Sequence, residues 1–243
     1  TMEILDRQEY VSWKLPKNWH VLLTTNPDNG DYNVTSLDIA QKTRFISVEL
    51  KYDSNVWAKW AETANIDGRC INFMLMHPEL VNQSVNPRSV TTFFNGISSI
   101  PKFEDNLPLI QMIGEGSVGV DFSSMFTMFI NNKLDKIISP EDALTKDEAY
   151  VMGALTAAVG KDDDFRADIS SVIATRLINY SLVYSETNSI SPNMVQRLIK
   201  LTTDCDAFTD DLRYYMIKEI VNGNKVKFAP LMMNQNVVKM AVK

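Results

Sequence analysis

The sequence has few of the residues that hold metal ions. Its 243 residues include only two cysteines and two histidines. Cys70 and Cys205 form no CxxC pair, so the usual zinc-binding spacing is excluded and two buried free thiols are expected. His20 and His77 have no second histidine or cysteine at ligand spacing. The sequence therefore predicts no metal site, and free thiols fit a reducing cytoplasm.

Long apolar runs and an excess of positive charge are also lacking. No apolar run approaches the roughly 18 residues that a membrane-spanning helix needs. The 24 Lys and Arg residues are outnumbered by 30 Asp and Glu residues, which gives a net charge of -6. Proteins that bind nucleic acid through its phosphates usually carry a basic surface. We expect no membrane partner, and a nucleic-acid partner would need a local basic groove that the overall charge does not indicate.

Apolar residues at helical spacing are abundant after residue 53. Trp57, Trp60 and Ala61, for example, follow Asp53 and Ser54, either of which is a typical N-cap residue. The pattern predicts a mainly α fold with an N-terminal α/β remnant, in a chain that is 45% hydrophobic. Helices are predicted at 54–65, 66–77, 87–99, 106–114, 118–131, 140–144, 147–159, 166–184, 191–203 and 206–222.

Strands are predicted mainly near the beginning of the chain. The run "HVLLTT" at 20–25 is apolar and bounded by turn residues, which is typical of a buried parallel strand. The run "RFISVEL" at 44–50 is a second candidate, and "NGNKVKF" at 222–228 indicates a turn and short strand. The opening "TMEILDRQEY" reads as a helix in mid-course. We therefore expect the chain to be the later part of a longer protein.

Two polar residues follow the first predicted strand at positions suited to a ligand. Asn26 ends "HVLLTTN", and open α/β sheets bind ligands at the carboxyl ends of their strands. After the turn-forming stretch "PDNGDYN", a capped helical turn in "SLDIAQKTRF" carries Arg44 to the start of the next predicted strand. A guanidinium at such a corner suits a phosphate or a carboxylate. The alternative is that Asn26 caps a turn and Arg44 pairs with a surface acid.

The order of these segments resembles the second half of a MoxR-type AAA+ ATPase. The similarity covers about the first 145 residues, through "LDRQEY", "WKLPKNWHVLLTTN", "DIAQKTRF", "WAKWA", "INFMLMHPEL", "NPRSV", "MIGEGSVGVDFSSMF" and "SPEDAL". The resemblance implies a helix that ends in a short hairpin before "LP". It also implies three segments: 1–52 as the end of the α/β core, 53–145 as the helical lid, and 146–243 as a C-terminal helical extension.

The resemblance also implies roles for three residues. Asn26 takes the place of the sensor-1 asparagine and would orient the attacking water or the γ-phosphate. Arg44 takes the place of the arginine finger, which acts on a neighbouring subunit, so a homo-oligomeric ring, most often a hexamer, is expected. Arg88 follows Pro87 at the sensor-2 position and would contact nucleotide phosphates. The complete protein is expected to use ATP and Mg²⁺ to remodel or assemble a partner protein.

The chain lacks the other half of such an ATPase. No GxxxxGK[ST] loop and no strand ending in acids occurs, and "GEGSVG" has no lysine and is better interpreted as a helix-breaking turn. We expect no tightly bound nucleotide and no hydrolysis by this chain alone. Its partner would be the missing P-loop half. Two alternatives stay open: a non-enzymatic helical scaffold or interaction module, and a clamp-loader or helicase-like subunit that acts on DNA.

Overall fold

The computed structural model describes residues 7–26, 39–44, 46–82, 84–132 and 137–242, apart from the side chains of 41 and 239–242. The chain divides into two compact units, Thr1–Lys51 and Tyr52–Lys243, hereafter the N-terminal unit and the helical unit. Across the described residues, no helix has both the length and the apolar character needed to cross a membrane.

The N-terminal unit contains a short hairpin. Strands β1 (Glu9–Tyr10) and β2 (Trp13–Lys14) pair antiparallel, with Glu9 opposite Lys14. The hairpin lies immediately before Leu15-Pro16, where the family resemblance places one. A helix was predicted for the opening ten residues. Residues 1–6 lie outside the described residues, and at Glu9–Tyr10 the prediction is wrong, because these residues form β1. A short helix, α1 (Ile39–Lys42), precedes Arg44 as predicted, whereas the turn predicted at 27–33 lies outside the described residues.

The two predicted N-terminal strands are wrong where the structure describes them. Residues 20–26 and 46–50 have neither helix nor strand geometry and are exposed, and Phe45 lies outside the described residues. Leu22 is 89% exposed, Ile46 96% and Leu50 91%. A strand needs hydrogen bonds from a neighbouring strand, whereas a helix satisfies its own backbone. Within the described part of the chain, the only strand pair is the hairpin, so these apolar runs have no sheet to join.

The helical unit follows the predicted periodicity closely. Its observed helices are α2 (Ser54–Thr63), α3 (Gly68–Met76), α4 (Pro87–Ile97), α5 (Leu107–Val118), α6 (Val120–Asn131), α7 (Pro140–Thr145), α8 (Glu148–Val159), α9 (Ala167–Thr187), α10 (Pro192–Asp204), α11 (Asp210–Gly223), α12 (Lys225–Met232) and α13 (Gln235–Val242). Side chains cap many of them. Asp53 accepts hydrogen bonds from the backbone N–H groups of Asn55 and Val56, for example, which fixes the start of α2.

The predicted turn and strand at 222–228 are wrong. Residues 225–232 form α12, and the Asn224 side chain caps it by accepting from the Lys227 backbone N–H at 3.2 Å. Phe228 and Leu231, three residues apart, are both buried, whereas the β-branched Val226 is 88% exposed. Burial of one helix face therefore outweighs the strand preference of a single valine.

Two hydrophobic cores divide the helical unit. The aromatic cluster runs from Trp57 to Ile130 and is rich in phenylalanine. The aliphatic cluster runs from Ala143 to Leu231 and consists mostly of Leu, Ile, Val and Ala. Helix α9 packs against α2 and α3, which belong to the aromatic cluster, and against α7, α8 and α11, which belong to the aliphatic one. It is therefore the element that joins the two cores.

Glycines shape the junction between α5 and α6. The prediction of a helix-breaking turn in "GEGSVG" is correct at Gly119, whose φ of +86° is a left-handed conformation that favours glycine. Gly114 instead lies inside α5, where a Cβ would approach the Ser123 side chain to 2.5 Å. The small residue allows α5 and α6 to pack closely.

Candidate functional site

Asn26 lies at the exposed end of the segment that follows the hairpin. The Thr25 hydroxyl donates a hydrogen bond to the Asn26 carbonyl oxygen at 3.1 Å. The Asn26 side chain is exposed, so its amide can meet water or a ligand. The strand that was predicted to hold it at a sheet edge is not formed here. The residue thus has the accessibility expected of a sensor asparagine, but not the sheet that would position it.

Arg44 follows α1 and is exposed. Its guanidinium donates from Nη1 to the carbonyl oxygen of Ala40, one turn back along the chain. The Thr43 hydroxyl donates to the same carbonyl oxygen at 3.1 Å. A guanidinium has five N–H donors in a fixed plane, and this bond to a backbone carbonyl uses one of them.

Arg88 lies in the first turn of α4, which has a complete capping box. Asn86 Oδ1 accepts from the backbone N–H groups of Arg88 and Ser89, both at 3.0 Å, and the Asn86 N–H donates to Ser89 Oγ at 3.2 Å. Pro87 supplies the fixed φ that favours a helix start. The cap uses backbone donors, so an anion here would meet the exposed side chain of Arg88 in the positive field of the helix N-terminus.

These three residues belong to different units. Asn26 and Arg44 are in the N-terminal unit, and Arg88 is in the helical unit. Each is exposed within its own unit. No cluster of three or more His, Cys, Asp or Glu side chains suited to a metal ion occurs among the described residues.

A buried ion pair that the sequence analysis missed lies where α9 crosses α2 and α3. Arg176 Nε donates to Glu62 Oε1 at 2.9 Å, and the two side chains are only 7% and 13% exposed. Arg176 Nη1 donates to Asn72 Oδ1 at 3.1 Å. A Cβ on Gly68 would lie 2.9 Å from the guanidinium, so glycine makes room for it. The network ties the aliphatic cluster to the aromatic one.

The sequence does carry a signal for Arg176. It is a lone arginine in "SSVIATRLINY", where the neighbouring helix face is apolar. A charge on a buried face needs a partner, because an unpaired buried ion is costly. The pattern indicates that Arg176 needs an acidic partner. Glu62, which lies 114 positions away, has no sequence feature that identifies it as that partner.

A cleft lies beside this ion pair, between the end of α2 and the last turns of α9. Its volume is about 430 Å³. Its lining combines one carboxylate, amides and aromatic rings, from Glu62, Asn65, Ile66, Tyr180, Val183, Tyr184, Thr187 and Asn188. This volume is within the range typical of small-ligand sites, roughly 300–1,000 Å³.

The cleft is lined by one carboxylate and by no Lys or Arg side chain. Burial raises the pKa of Tyr180, and the negative charges of Glu141 and Glu62 raise it further, with Tyr184 also contributing. Nearby negative charges raise the pKa of an acid because they disfavour its ionised form, and they disfavour any other anion at the same place. The arrangement therefore suits a neutral or cationic group and opposes a phosphate.

Comparison with protein-family models, with curated proteins and with solved structures finds no match to the chain.

Proposed function

We propose that the chain supplies the sensor and lid portions of a MoxR-type AAA+ ATPase, which couples ATP hydrolysis to the remodelling or assembly of a partner protein in the cytoplasm. The observation that carries this proposal is the order of "HVLLTTN", "DIAQKTRF" and "NPRSV" along one chain. Arg88 supports it, because a capped helix holds its backbone while its side chain stays exposed.

The exposed apolar runs of the N-terminal unit support the proposal that a separate P-loop half pairs with this chain. Residues 20–25 and 46–50 have strand-like sequences but expose Leu22, Ile46 and Leu50. Burying one such side chain contributes roughly 1.5–3 kcal/mol. A P-loop half with its own strands would cover them and complete the backbone hydrogen bonds of a sheet.

The three residues would then divide the work of phosphoryl transfer. Charge builds on the γ-phosphate and the leaving oxygens, so catalysis depends on positioning and electrostatic stabilisation. Asn26 would orient the attacking water, and Arg88 would contact the phosphates within the same subunit. Arg44 would reach the site of a neighbouring subunit, which makes hydrolysis depend on assembly into a ring, most often a hexamer in this class. Mg²⁺ would bind with the nucleotide at the P-loop half.

Calorimetric titration of ATP and Mg²⁺ tests the proposal. The chain alone is expected to bind ATP weakly or not at all, because it has no phosphate-binding loop. Joined to a P-loop half, it should bind ATP, and Arg88→Ala should weaken that binding by about tenfold, the loss expected for one charge-assisted contact. Lys102→Ala is the matched control, since Lys102 is another exposed cation of the helical unit.

Micromolar, Mg²⁺-dependent ATP binding by the chain alone would contradict the proposed division into halves. Equal losses of ATP affinity in Arg88→Ala and Lys102→Ala would contradict the sensor-2 role of Arg88.

A non-enzymatic helical interaction module is the second candidate. The observation that favours it is the cleft beside Glu62, which opposes phosphate but offers amides and aromatic rings. The same titration separates the two functions, because a scaffold should gain no ATP affinity from a P-loop half.

A further inference from the structure

We propose that the cleft between α2 and α9 binds the guanidinium group of an arginine side chain presented by a partner polypeptide. The cleft is lined by none of Asn26, Arg44 and Arg88, and the proposal does not depend on the proposed ATPase function. It is carried by three features of the cleft: its aromatic wall, its carboxylate and the absence of a lining cation.

The aromatic wall consists of Tyr180 and Tyr184, one helical turn apart on α9. Their ring centroids are 5.9 Å apart and their planes differ by 23°. Both rings are partly exposed and line the cleft. A guanidinium is planar and weakly hydrated, so it can lie flat against such a face and gain cation–π attraction.

The carboxylate of Glu62 has spare acceptor capacity. Arg176 bonds its Oε1 atom from the buried side, and in the described part of the chain no donor bonds Oε2. A carboxylate accepts about four hydrogen bonds, so a second guanidinium can share it with Arg176. Arg176 already stabilises the ionised form of Glu62 in its largely buried position.

Amide oxygens can complete the contacts. Asn188 Nδ2 donates to the carbonyl oxygen of Tyr184 at 3.2 Å and to Thr187 Oγ1 at 2.9 Å, which leaves Oδ1 as the free acceptor. Asn65 also lines the cleft. The guanidinium offers five N–H donors in a fixed plane, whereas an ammonium is a compact and strongly hydrated charge. These acceptors therefore favour arginine over lysine.

The charges around the cleft agree with a cation. No Lys or Arg is among its lining residues. Three cations lie beside the cleft and are held by other groups: Arg176 bonds Glu62 from the buried side, Lys59 lies 3.8 Å from Glu186, and Lys227 Nζ donates to the carbonyl oxygen of Asn188 at 2.8 Å. The C-terminal ends of α2 and α9 both border the cleft and carry partial negative charge.

The lack of a Lys or Arg in the lining of the cleft distinguishes an arginine within a polypeptide from the free amino acid. Free arginine carries an α-carboxylate, and no Lys or Arg lines the cleft to bind that group. An arginine within a polypeptide has no such charge. The partner is therefore expected to present arginine on an exposed segment.

Nuclear magnetic resonance titration of the full chain tests this proposal. The probe is Nα-acetyl-L-arginine methylamide, and the readout is the chemical shift of the Asn65 and Asn188 side-chain amides. We expect saturable binding with a dissociation constant of about 1 mM, as for a few weak polar contacts. The citrulline analogue, which is neutral and of nearly the same shape, should bind at least about tenfold more weakly. Capped lysine and free arginine should also bind more weakly than the probe.

Two substitutions locate the site. Tyr184→Leu removes one aromatic face and should weaken binding by roughly 3- to 30-fold, the range of a cation–π contact. Tyr150→Leu is the matched control, because Tyr150 is a 56% exposed tyrosine that does not line the cleft. Circular dichroism establishes that each variant remains folded.

Three results would overturn the proposal: equal affinity for the arginine and citrulline probes, equal losses in Tyr184→Leu and Tyr150→Leu, or no saturable shift at Asn65 and Asn188. If Tyr184→Leu fails to fold, Tyr184→Ser or Glu62→Gln replaces it. Each removes one of the two attractive groups and should weaken binding of the arginine probe by at least about threefold.

Discussion

The N-terminal unit and the helical unit differ in whether they can bury their own apolar residues. In the helical unit the largest fully buried side chains are mainly phenylalanines, including Phe73, Phe93 and Phe126. In the N-terminal unit, Leu22 and Ile46 are almost fully exposed. Helices satisfy their backbones locally and need only another helix to pack against, whereas strand-like segments need neighbours from elsewhere. The difference shows that sequence periodicity leads to buried cores in the helical unit and to exposed apolar side chains in the described part of the N-terminal unit.

The largest expected effect concerns Phe126. Its ring lies 5.0 Å from that of Phe73 and 5.4 Å from that of Phe93, both edge-on. We expect Phe126→Ala to lower the free energy of unfolding by about 3–5 kcal/mol, because it leaves a cavity and removes these ring contacts. Leu22→Ala should change it by less than about 0.5 kcal/mol, because Leu22 is exposed. Urea unfolding followed by circular dichroism measures both changes. Equal losses of unfolding free energy in the two variants would contradict the difference between the two units.

The next effect concerns the ion pair that joins the two cores. Arg176→Met should lower the free energy of unfolding by about 3 kcal/mol, because it leaves the largely buried Glu62 carboxylate without its partner. Adding Glu62→Leu to Arg176→Met should recover most of that loss, since two apolar side chains can pack together. Lys59→Met, which removes an exposed pair with Glu186, is the control and should cost less than about 1 kcal/mol. A double-mutant cycle in which the two substitutions simply add would contradict this coupling.

The smallest expected effect is pH-dependent and concerns Tyr52, the first residue of the helical unit. Burial raises its pKa to about 12, with a further contribution from the charge of Asp53. The unfolded chain, with a tyrosine pKa near 10, releases the proton first as pH rises. Stability from the neutral hydroxyl is therefore complete below pH 10 and is lost as pH rises towards about 12.

Tyr52→Phe tests this directly. The Tyr52 hydroxyl is a buried atom with no hydrogen-bond partner among the described residues, so its removal should leave stability at neutral pH unchanged or slightly higher. Urea unfolding at about pH 9 and about pH 11 should show a smaller alkaline loss for the variant than for the wild type. Identical alkaline losses would mean that Tyr52 titrates normally in the folded protein.

The sequence predicts the helical unit well because its information is local. The first turn of α4 was predictable from "NPRSV", since asparagine caps and proline starts a helix. The strands at 20–25 and 44–50 were not, because their apolar runs show an intrinsic preference but not whether neighbours exist. The prediction at 222–228 failed for a related reason, because the turn signal in "NGNKVKF" does not show that Phe228 and Leu231 are buried on one face of a helix.

The candidate sites divide in the same way. Asn26, Arg44 and Arg88 could be singled out because each follows a short motif. Arg176 and the cleft could not be located, because Glu62 and Tyr180 come together only through the packing of α2 on α9. In a long-range pair of this kind, the sequence indicates that the arginine on an apolar helix face needs a partner. It does not indicate which residue that partner is.

The central claim is that the N-terminal unit forms part of an ATPase site shared between subunits. In the complete ATPase that we propose, Arg44→Ala should leave folding and ATP affinity nearly intact and lower kcat by at least about a hundredfold. Lys42→Ala, which changes an exposed cation in the last turn of α1, is the matched control and should leave kcat nearly unchanged.

Mixing subunits is the most direct measurement. Arg44→Ala subunits combined with subunits whose P-loop is disabled should regain ATP hydrolysis, because an intact site can then meet an intact arginine across a mixed interface. Rates are measured as a function of the mixing ratio, with co-assembly verified independently. Recovery of hydrolysis in the mixture, where each variant alone is inactive, is the predicted result. Verified co-assembly without any recovery would contradict a trans-acting Arg44.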